Sequence, residues 1–230
     1  MRAKTKTRER QYQVQIDVGR KRGYVPMGPT ASHVFRTDPR RLGILLARYK
    51  FCAKMLTGKT HVLEAGCGDS FGTNVVLQEV AAVHGIDFDP VFVDWCRDQA
   101  EREGLNATYE VVDLTEDRPT GEFDAAYSLD VIEHIEKSRE DLFMANLCAV
   151  MRPNGVVIIG TPNETSAPYA SEWSQRGHIN LKGHEELRAL MGKYFDNVFI
   201  FSMNDEVVHT GFSPMAHYLF AMGVGVKKAS

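Results

Sequence analysis

The alternation of short β-rich runs with helical segments, which begins near Thr60, constrains the fold of this sequence more than any other feature. Five such runs predict strands, at His61–Glu64, Ala82–Asp87, Thr108–Val112, Phe123–Ser128 and Gly155–Gly160. Helical patterns lie between or after them, near Thr73–Val80, Pro90–Arg102, Val131–Met151 and His184–Tyr194. Strands that alternate with helices form a parallel sheet covered on both faces. The sequence therefore predicts an α/β fold with a mostly parallel sheet.

A different pattern follows the last of these helices. Two β-rich runs, Val198–Ser202 and Glu206–Thr210, are joined by Met203-Asn204-Asp205. A short polar connection between two such runs predicts an antiparallel hairpin. Together with the five parallel strands it makes a seven-stranded sheet with a C-terminal antiparallel hairpin. The apolar stretch Pro214–Val226 is expected to pack as an extra helix or strand.

The N-terminal part carries no sheet pattern. Met1–Arg10 is basic and without apolar periodicity, which predicts a frayed terminus, with a phosphate-binding arm as the alternative. Gly19–Pro39 is broken by glycines and prolines and predicts a loop that packs over the domain. A helix is expected from about Pro39 to Gly58. We therefore divide the chain into an N-terminal arm and cap loop, residues 1–38, and a single domain, residues 39–230.

Charge and cysteine content bear on partners and compartment. The 230 residues include 27 Lys and Arg against 30 Asp and Glu, a net charge of −3, which argues against nucleic acid as the main partner. Four dispersed cysteines without a C-x-x-C pair indicate reduced thiols. No apolar run approaches the roughly 18 residues of a membrane span. We expect a cytoplasmic protein with no membrane partner, as a monomer or homodimer.

A glycine-rich turn follows the first predicted strand, in Glu64-Ala65-Gly66-Cys67-Gly68-Asp69-Ser70-Phe71-Gly72. Backbone without Cβ atoms lets a ligand approach closely, and amides at a helix start favour a polar or anionic group. A dinucleotide fingerprint, G-x-G-x-x-G, requires glycine where Phe71 stands, and Gly72 comes one residue late. The spacing weakens a nicotinamide oxidoreductase interpretation, which stays as a competing hypothesis.

Acidic residues end the next two predicted strands. Asp87 lies 21 residues beyond Gly66, where a carboxylate can accept both hydroxyls of a ribose, and Phe88 beside it can lie against a purine. Asp113, next to Leu114, ends the third strand and can accept the exocyclic amine of adenine. Either residue alone is more often a helix cap or loop carboxylate. Together, at the carboxyl ends of successive strands, they predict a nucleoside site.

With these motifs the chain from about Leu56 to Thr210 resembles the class I S-adenosylmethionine-dependent methyltransferases. The matching segments are Glu64–Gly72, Asp87, Asp113, Phe123–His134 and Met151–Pro162. The resemblance implies a Rossmann-like fold, S-adenosylmethionine as cofactor and S-adenosylhomocysteine as product. It implies cofactor contacts at Glu64, Gly66, Cys67, Gly68, Gly72, Asp87, Phe88, Asp113, Leu114 and Ser128. Arg36, in the cap loop, is a further candidate, to hold the methionine carboxylate of the cofactor.

A set of ionisable residues follows the fourth strand. Asp130, Glu133 and His134 stand at i, i+3 and i+4, so that on a helix they project from one face. Such a set can bind a divalent cation or accept a substrate proton, whereas the alternative is a capping residue and a solvated first turn. The segment is similar to that of the ubiquinone-biosynthesis methyltransferases, in which it carries a divalent metal, although Asp130 replaces their more usual Glu. His178, in a later loop, is a second imidazole expected to face the acceptor.

These observations predict an enzyme that moves a methyl group to a small polar molecule. Because a hydroxyl acceptor loses a proton, the imidazoles favour O-methylation. The expected acceptor is a sugar, a nucleotide-linked or a phosphate-bearing building block, as in polysaccharide biosynthesis. The alternatives are N-methylation of a small amine and a non-catalytic module that only binds S-adenosylmethionine.

Overall fold

A single mixed sheet organises the computed structural model, which describes residues 6–227. Its eight strands lie in the order β3-β2-β1-β4-β5-β8-β6-β7. The strands are β1 (Val62–Ala65), β2 (Val83–Asp87), β3 (Ala107–Val111), β4 (Phe123–Leu129), β5 (Met151–Pro162), β6 (Phe195–Asn204), β7 (Val207–His209) and β8 (Tyr218–Val226). The first five run parallel to one another. The predicted mostly parallel sheet is confirmed.

Helices cover both faces of this sheet, as predicted. They are α1 (Gln13–Arg22), α2 (Pro29–Thr37), α3 (Arg40–Met55), α4 (Thr73–Val76), α5 (Pro90–Glu103), α6 (Glu140–Ala149), α7 (Glu172–Gly177) and α8 (His184–Tyr194). The apolar cluster on one face takes side chains from α3 and α4, and the cluster on the other takes them from α6 and α8. Among the described residues, the longest apolar helical stretch falls short of what a membrane crossing requires.

The central strands are buried on both faces. On β1, Val62 joins the cluster under α3, while its neighbour Leu63 joins the cluster under α6, and both are fully buried. Successive side chains of a strand point to opposite faces, so a strand covered on both sides is apolar at most positions, and on β1 the one polar residue is Glu64. This explains why short continuous apolar runs identified the parallel strands in the sequence.

The C-terminal part differs from the prediction in one respect. The hairpin between β6 and β7 is present, with Ser202 paired to His209. However, β8 lies between β5 and β6 and is antiparallel to both. The sheet has eight strands, and the predicted count of seven is wrong. A short apolar run such as 218–226 has no period that separates a buried strand from a buried helix, so the sequence left both open.

Two further segments differ from the prediction in how much helix they contain. The expected loop at 19–39 contains α2, which starts with Pro29 at its first position, where proline is tolerated. The expected helix at 131–151 is interrupted: Ile132–His134 and Lys137–Arg139 are 3-10 turns, and only α6 is α-helical. Asp130 has a left-handed backbone, with φ of 58°, and Ile135 is extended, so the chain cannot run as one helix.

The N-terminal predictions are covered in part. Residues 1–5 of the predicted frayed terminus lie outside the described residues, and Arg10–Tyr12 form a 3-10 turn. A break at Asp38 and Pro39 separates α2 from α3, which pack against each other. The division of the chain into residues 1–38 and 39–230 stays a prediction.

The central place of β8 predicts a large effect of truncating its core aromatic residue. Phe220 is fully buried, with its ring centroid 4.5 Å from that of Phe51 on α3. We expect Phe220→Ala to lower the free energy of unfolding by about 3–5 kcal/mol in urea titrations. Phe199→Ala is the matched control, because this side chain on β6 is half exposed, and it should cost less than about 1 kcal/mol. Equal losses in the two variants would contradict a buried β8.

Candidate functional site

A cavity of about 750 Å³ opens at the carboxyl ends of the parallel strands. Its walls include Gly66 and Gly68 after β1, Asp87 and Phe88 at β2, Asp113 and Leu114 after β3, and Asp130, Val131 and His134 after β4. The strand order reverses here, since the chain proceeds from β1 outward through β2 and β3 and then returns to β4 on the other side. Ligands of open α/β sheets bind at such a switch point.

The glycine-rich turn forms the floor between β1 and β4. Gly66 has a φ of 77°, and a Cβ atom on it would lie 2.3 Å from Cγ2 of Val131. The amides of Gly66 and Cys67 both donate to the carbonyl oxygen of Ile86, at 2.8 and 2.9 Å. The position therefore requires glycine, and the turn is held rigidly at the cavity.

The predicted acidic residues at β2 and β3 both reach the cavity. The Asp87 carboxylate accepts from the amide of Gly68 at 2.9 Å and from the amide of Asp89 at 3.0 Å, one bond to each oxygen. Each oxygen keeps a second lone pair for a ligand hydroxyl. Oδ1 of Asp113 accepts from the amide and hydroxyl of Thr115, so Asp113 also shapes the turn that carries it. Phe88 is 73% exposed and is available to a planar ligand.

Five predicted cofactor residues do not line this cavity. Glu64 is buried and accepts from the Thr73 hydroxyl, and the Ser128 hydroxyl donates to the carbonyl of Ala65. Cys67 is buried beside α5, and a Cβ atom on Gly72 would lie 2.1 Å from the Tyr49 ring. Arg36 is exposed on α2. The first four support the glycine-rich turn from behind, and a cofactor contact by Arg36 stays a prediction.

A contact that sequence reasoning missed ties α2 to the glycine-rich turn. Oδ2 of Asp69 accepts from the amide of Ala31 at 2.8 Å, in the first turn of α2. Thr30, one residue earlier, lines the cavity. A carboxylate at a helix N-terminus satisfies free amides and complements the helix dipole. The contact joins residues 38 apart in the chain, so no local signal could have predicted it.

Asp130 is paired with an arginine instead of joining the two residues predicted to act with it. Both of its carboxylate oxygens lie 2.7 Å from Nη1 of Arg48 on α3. The Arg48 guanidinium lies 3.8 Å from the centroid of the Tyr218 ring. Because 82 residues separate Arg48 from Asp130, spacing alone could not have predicted the pair. The cavity wall therefore carries a carboxylate, that of Asp130, whose charge is balanced by Arg48.

A cluster of Glu133, His134 and His178 lies beside the cavity, which His134 lines. One ligand atom from each lies within 4.8 Å of the other two. Glu133 is fully buried and accepts from the Thr161 hydroxyl at 2.9 Å, while its Oε1 has no hydrogen-bond partner among the described residues. Burial, and secondly Asp130, raises the pKa of Glu133 to about 8. An unpartnered buried oxygen beside two imidazoles suits a divalent cation or a proton-transfer site.

The two histidines of this cluster line different cavities. Their ring centroids are 5.0 Å apart. His134 lines the large cavity, and His178 lines a second one of about 390 Å³, walled by Ala167, Pro168, Ala170, Gln175, His178 and Leu181. Burial, and secondly His134, lowers the pKa of His178, which favours its neutral form at pH 7. A group in the second cavity would lie next to His178, beside the ring of His134.

Comparison with known proteins agrees with this geometry. Residues 62–155 match the sequence profile of a family described as a methyltransferase domain. The match covers less than half of the 230 residues of the chain. The glycine-rich turn, Asp87 and Asp113 all lie within the matched part, whereas His178 lies beyond it.

Curated relatives of the methyltransferase domain include ubiquinone biosynthesis O-methyltransferases. That of Coxiella burnetii strain RSA 493 is 28% identical over 126 residues, 53% of this chain and 52% of the relative. The mitochondrial one of Arabidopsis thaliana is 32% identical over 112 residues, 47% of this chain and 34% of the relative. The chain thus spans about half the length, or less, of these relatives.

Solved structures share the fold of the methyltransferase domain. The N-methyltransferase NodS from Bradyrhizobium japonicum WM9, in complex with S-adenosylhomocysteine, has a TM-score of 0.62 at 16% identity, covering 86% of this chain and 94% of NodS. An S-adenosylmethionine-dependent methyltransferase from Clostridium acetobutylicum has a TM-score of 0.65 at 10% identity, covering 84% and 97%. At these identities the likeness shows the fold alone.

The ionisation of the Glu64 carboxyl group depends on the fold. It is 1% exposed, and burial raises its pKa to about 7, although the hydrogen bond from the Thr73 hydroxyl opposes the rise. When the pKa is higher in the folded state than in the unfolded state, the stability present at low pH is lost as pH rises through the folded value. The ionisation of Glu64 therefore lowers the free energy of unfolding as the pH rises from about 5 to 8.

This shift predicts a pH-dependent stabilisation by Glu64→Gln, since glutamine does not ionise. Relative to the unsubstituted protein, the free energy of unfolding of the variant should rise by about 2 kcal/mol between pH 5 and pH 8. Urea titrations at the two pH values measure it. The exposed Glu101→Gln variant on α5 is the control, with no pH-dependent gain. Parallel pH profiles for the Glu64→Gln and unsubstituted proteins would show that the carboxyl ionises freely.

Proposed function

We propose that this protein is an S-adenosylmethionine-dependent methyltransferase that acts on a hydroxyl group of a small molecule. The observation that carries the proposal is a pair of adjacent imidazoles: His134 lines the cavity with the nucleoside-type residues, and His178, with its ring centroid 5.0 Å away, lines a second cavity. A methyl donor and its acceptor need two such compartments that meet at one point. The curated relatives, named as ubiquinone biosynthesis O-methyltransferases, support a hydroxyl acceptor.

The large cavity fits the proposed cofactor in size and in the chemistry of its walls. Asp87 offers acceptors to the ribose hydroxyls, Oδ2 of Asp113 offers one to the adenine amine, and Phe88 offers a face to the base. Gly66 and Gly68 leave room for the methionine part against the backbone. When bound, the cofactor supplies a methyl group made electrophilic by a sulfonium.

In the proposed reaction the cluster of Glu133, His134 and His178 accounts for the proton that the acceptor hydroxyl loses. Because its pKa is lowered, His178 is neutral near pH 7 and can accept the proton of an attacking hydroxyl. Glu133, with its pKa near 8, is mostly protonated there unless a cation is bound. Glu133, His134 and His178 would hold a divalent cation, which favours loss of a proton from a hydroxyl at the site. Asp130, the third ligand expected from the sequence, is occupied by Arg48.

One feature specifies the proposed acceptor, namely its reacting hydroxyl group. The second cavity is lined by small apolar side chains, one amide and one imidazole, with no charged side chain among its walls. The narrower expectation of a sugar or phosphate-bearing acceptor has no counterpart in the names of the curated relatives and stays a prediction. An amine acceptor, as in NodS by its name, is the competing outcome.

Loss of the Asp87 carboxylate should weaken cofactor binding. Asp87→Ala removes the ribose acceptors and the bond to the Gly68 amide, and we expect a loss of about 2 kcal/mol in the binding of S-adenosylhomocysteine, roughly 30-fold in Kd. Isothermal titration measures it, with Asp98→Ala, exposed on α5, as the control. Titration with NAD tests the oxidoreductase hypothesis. Unchanged affinity for S-adenosylhomocysteine in Asp87→Ala, or binding of NAD instead, would refute the cofactor assignment.

Loss of either imidazole should depress transfer and spare cofactor binding. We expect His134→Ala and His178→Ala to lower kcat by about 100-fold on a hydroxylated acceptor, with affinity for S-adenosylhomocysteine within twofold of the unsubstituted protein. Transfer of labelled methyl groups to panels of phenols, sugars and amines measures it, with His209→Ala on β7 as the control. A chelator followed by added Mg²⁺ or Zn²⁺ separates a metal role from a metal-free one.

Three results would count against the proposal as stated. Normal turnover in His178→Ala would remove the cluster from the chemistry. Turnover restricted to amines would favour N-methylation. Binding of the cofactor without turnover on any panel would favour the non-catalytic module.

A further inference from the structure

A fully buried lysine lies behind the histidine cluster. Lys182 is 0% exposed, and no other lysine among residues 6–227 is buried. Its ammonium group donates to Oε2 of Glu140 at 2.6 Å and to Oδ1 of Asn180 at 3.0 Å. Nδ2 of Asn180 in turn donates to the same Oε2 of Glu140 at 3.0 Å. Lys182, Glu140 and Asn180 thus form a closed triangle of buried hydrogen bonds, here called the lysine triangle.

The lysine triangle anchors the loop that carries His178. The amide of Asn180 donates to the carbonyl oxygen of Glu133 at 3.0 Å, which ties the loop to the turn that holds Glu133 and His134. The carbonyl of Lys182 accepts from the amide of Glu164 at 3.1 Å, just after β5. Glu140 is the first residue of α6. The loop is therefore fixed between α6, the end of β5 and the turn after β4.

One consequence of this anchoring is the protonation pattern of His134. Nδ1 of His134 lies 2.9 Å from the carbonyl oxygen of Gly177, at the start of the anchored loop. Because a carbonyl oxygen only accepts, Nδ1 must carry a proton, and in the neutral ring Nε2 keeps its lone pair. That nitrogen can then bind a cation or take a proton. The Gly177 carbonyl therefore selects the Nδ1–H tautomer of the neutral ring.

Stability alone does not account for the lysine triangle. Replacing a buried ion pair by apolar side chains of similar size is often neutral or stabilising, because desolvation offsets the attraction between the charges. Such a pair does impose one geometry. The pair of Lys193 on α8 and Asp141 on α6 is exposed, and among the described residues neither side chain is hydrogen-bonded to the loop at 177–182.

We propose that Lys182 is a positioning residue, which through Glu140 and Asn180 holds the Gly177 carbonyl against His134 and so keeps Nε2 of that ring unprotonated. The inference rests on the proposed function for its purpose, since the free nitrogen serves the cation or the acceptor proton. Its structural content, the tautomer of His134, is independent of that function.

The test compares His134 in proteins with and without the lysine triangle. The double variant Lys182→Met/Glu140→Met replaces both charges by apolar chains and avoids an unpaired buried carboxylate. Glu140→Gln, which keeps the shape of the side chain, is the second variant. Lys193→Met/Asp141→Asn removes the exposed pair between α8 and α6 and is the matched control. Ring-nitrogen NMR shifts of ¹⁵N-histidine-labelled protein, at about pH 8.5, well above the ordinary histidine pKa, report the tautomer.

We expect His134 to be in the Nδ1–H form in the unsubstituted and control proteins, and to shift toward the Nε2–H form in both test variants. Zn²⁺ affinity should fall by about 10- to 100-fold in the test variants, the usual effect of losing a group that orients a ligand. Affinity for S-adenosylhomocysteine should stay within twofold, because no member of the lysine triangle lines the large cavity.

A folded double variant that keeps the Nδ1–H form of His134 would overturn the inference, and so would failure of both test variants to fold, which would assign the lysine triangle to stability. If the unsubstituted protein neither binds Zn²⁺ nor transfers methyl groups, the proposed function fails. The tautomer comparison still decides whether Lys182 positions the ring.

Discussion

The close approach of Gly66 to Val131 is the contact on which the rest of the site depends. It joins the end of β1 to the segment after β4, and no side chain larger than hydrogen fits between them. On one side of this contact lie the residues of β2 and β3 that suit a nucleoside, and on the other lie Asp130 and the histidine cluster. The two chemical halves of the protein meet at a point where the backbone itself forms the wall.

The nucleoside half could be predicted from the sequence because its information is local. Asp87, Phe88 and Asp113 directly follow buried strands, and parallel strands bring their carboxyl ends to one edge of the sheet. The fold class followed from the same regularity. The extra strand β8 did not, because a short apolar run carries no period that reveals its partner.

The grouping of Asp130 and the histidine cluster depends on contacts between distant residues, which spacing does not encode. The sequence placed Asp130, Glu133 and His134 on one helical face, but the left-handed backbone of Asp130 ends that possibility. Arg48 takes the Asp130 carboxylate from a distance of 82 residues, and His178 replaces it beside Glu133 and His134. The residue types were predicted, whereas their grouping required the structure. The burial of Lys182 could not be predicted from the sequence, because most lysines are exposed.

The position of β8 has a consequence for biosynthesis. It follows β6 and β7 in the chain, yet it is inserted between β5 and β6. Until residues 218–226 have been synthesised, the edge of β5 that pairs with β8 lacks its native partner. An open edge of apolar strands recruits other chains. A nascent chain of this protein therefore passes through a vulnerable interval that ends only when residues 218–226 emerge, which makes those nine residues the step that commits the sheet to its native order.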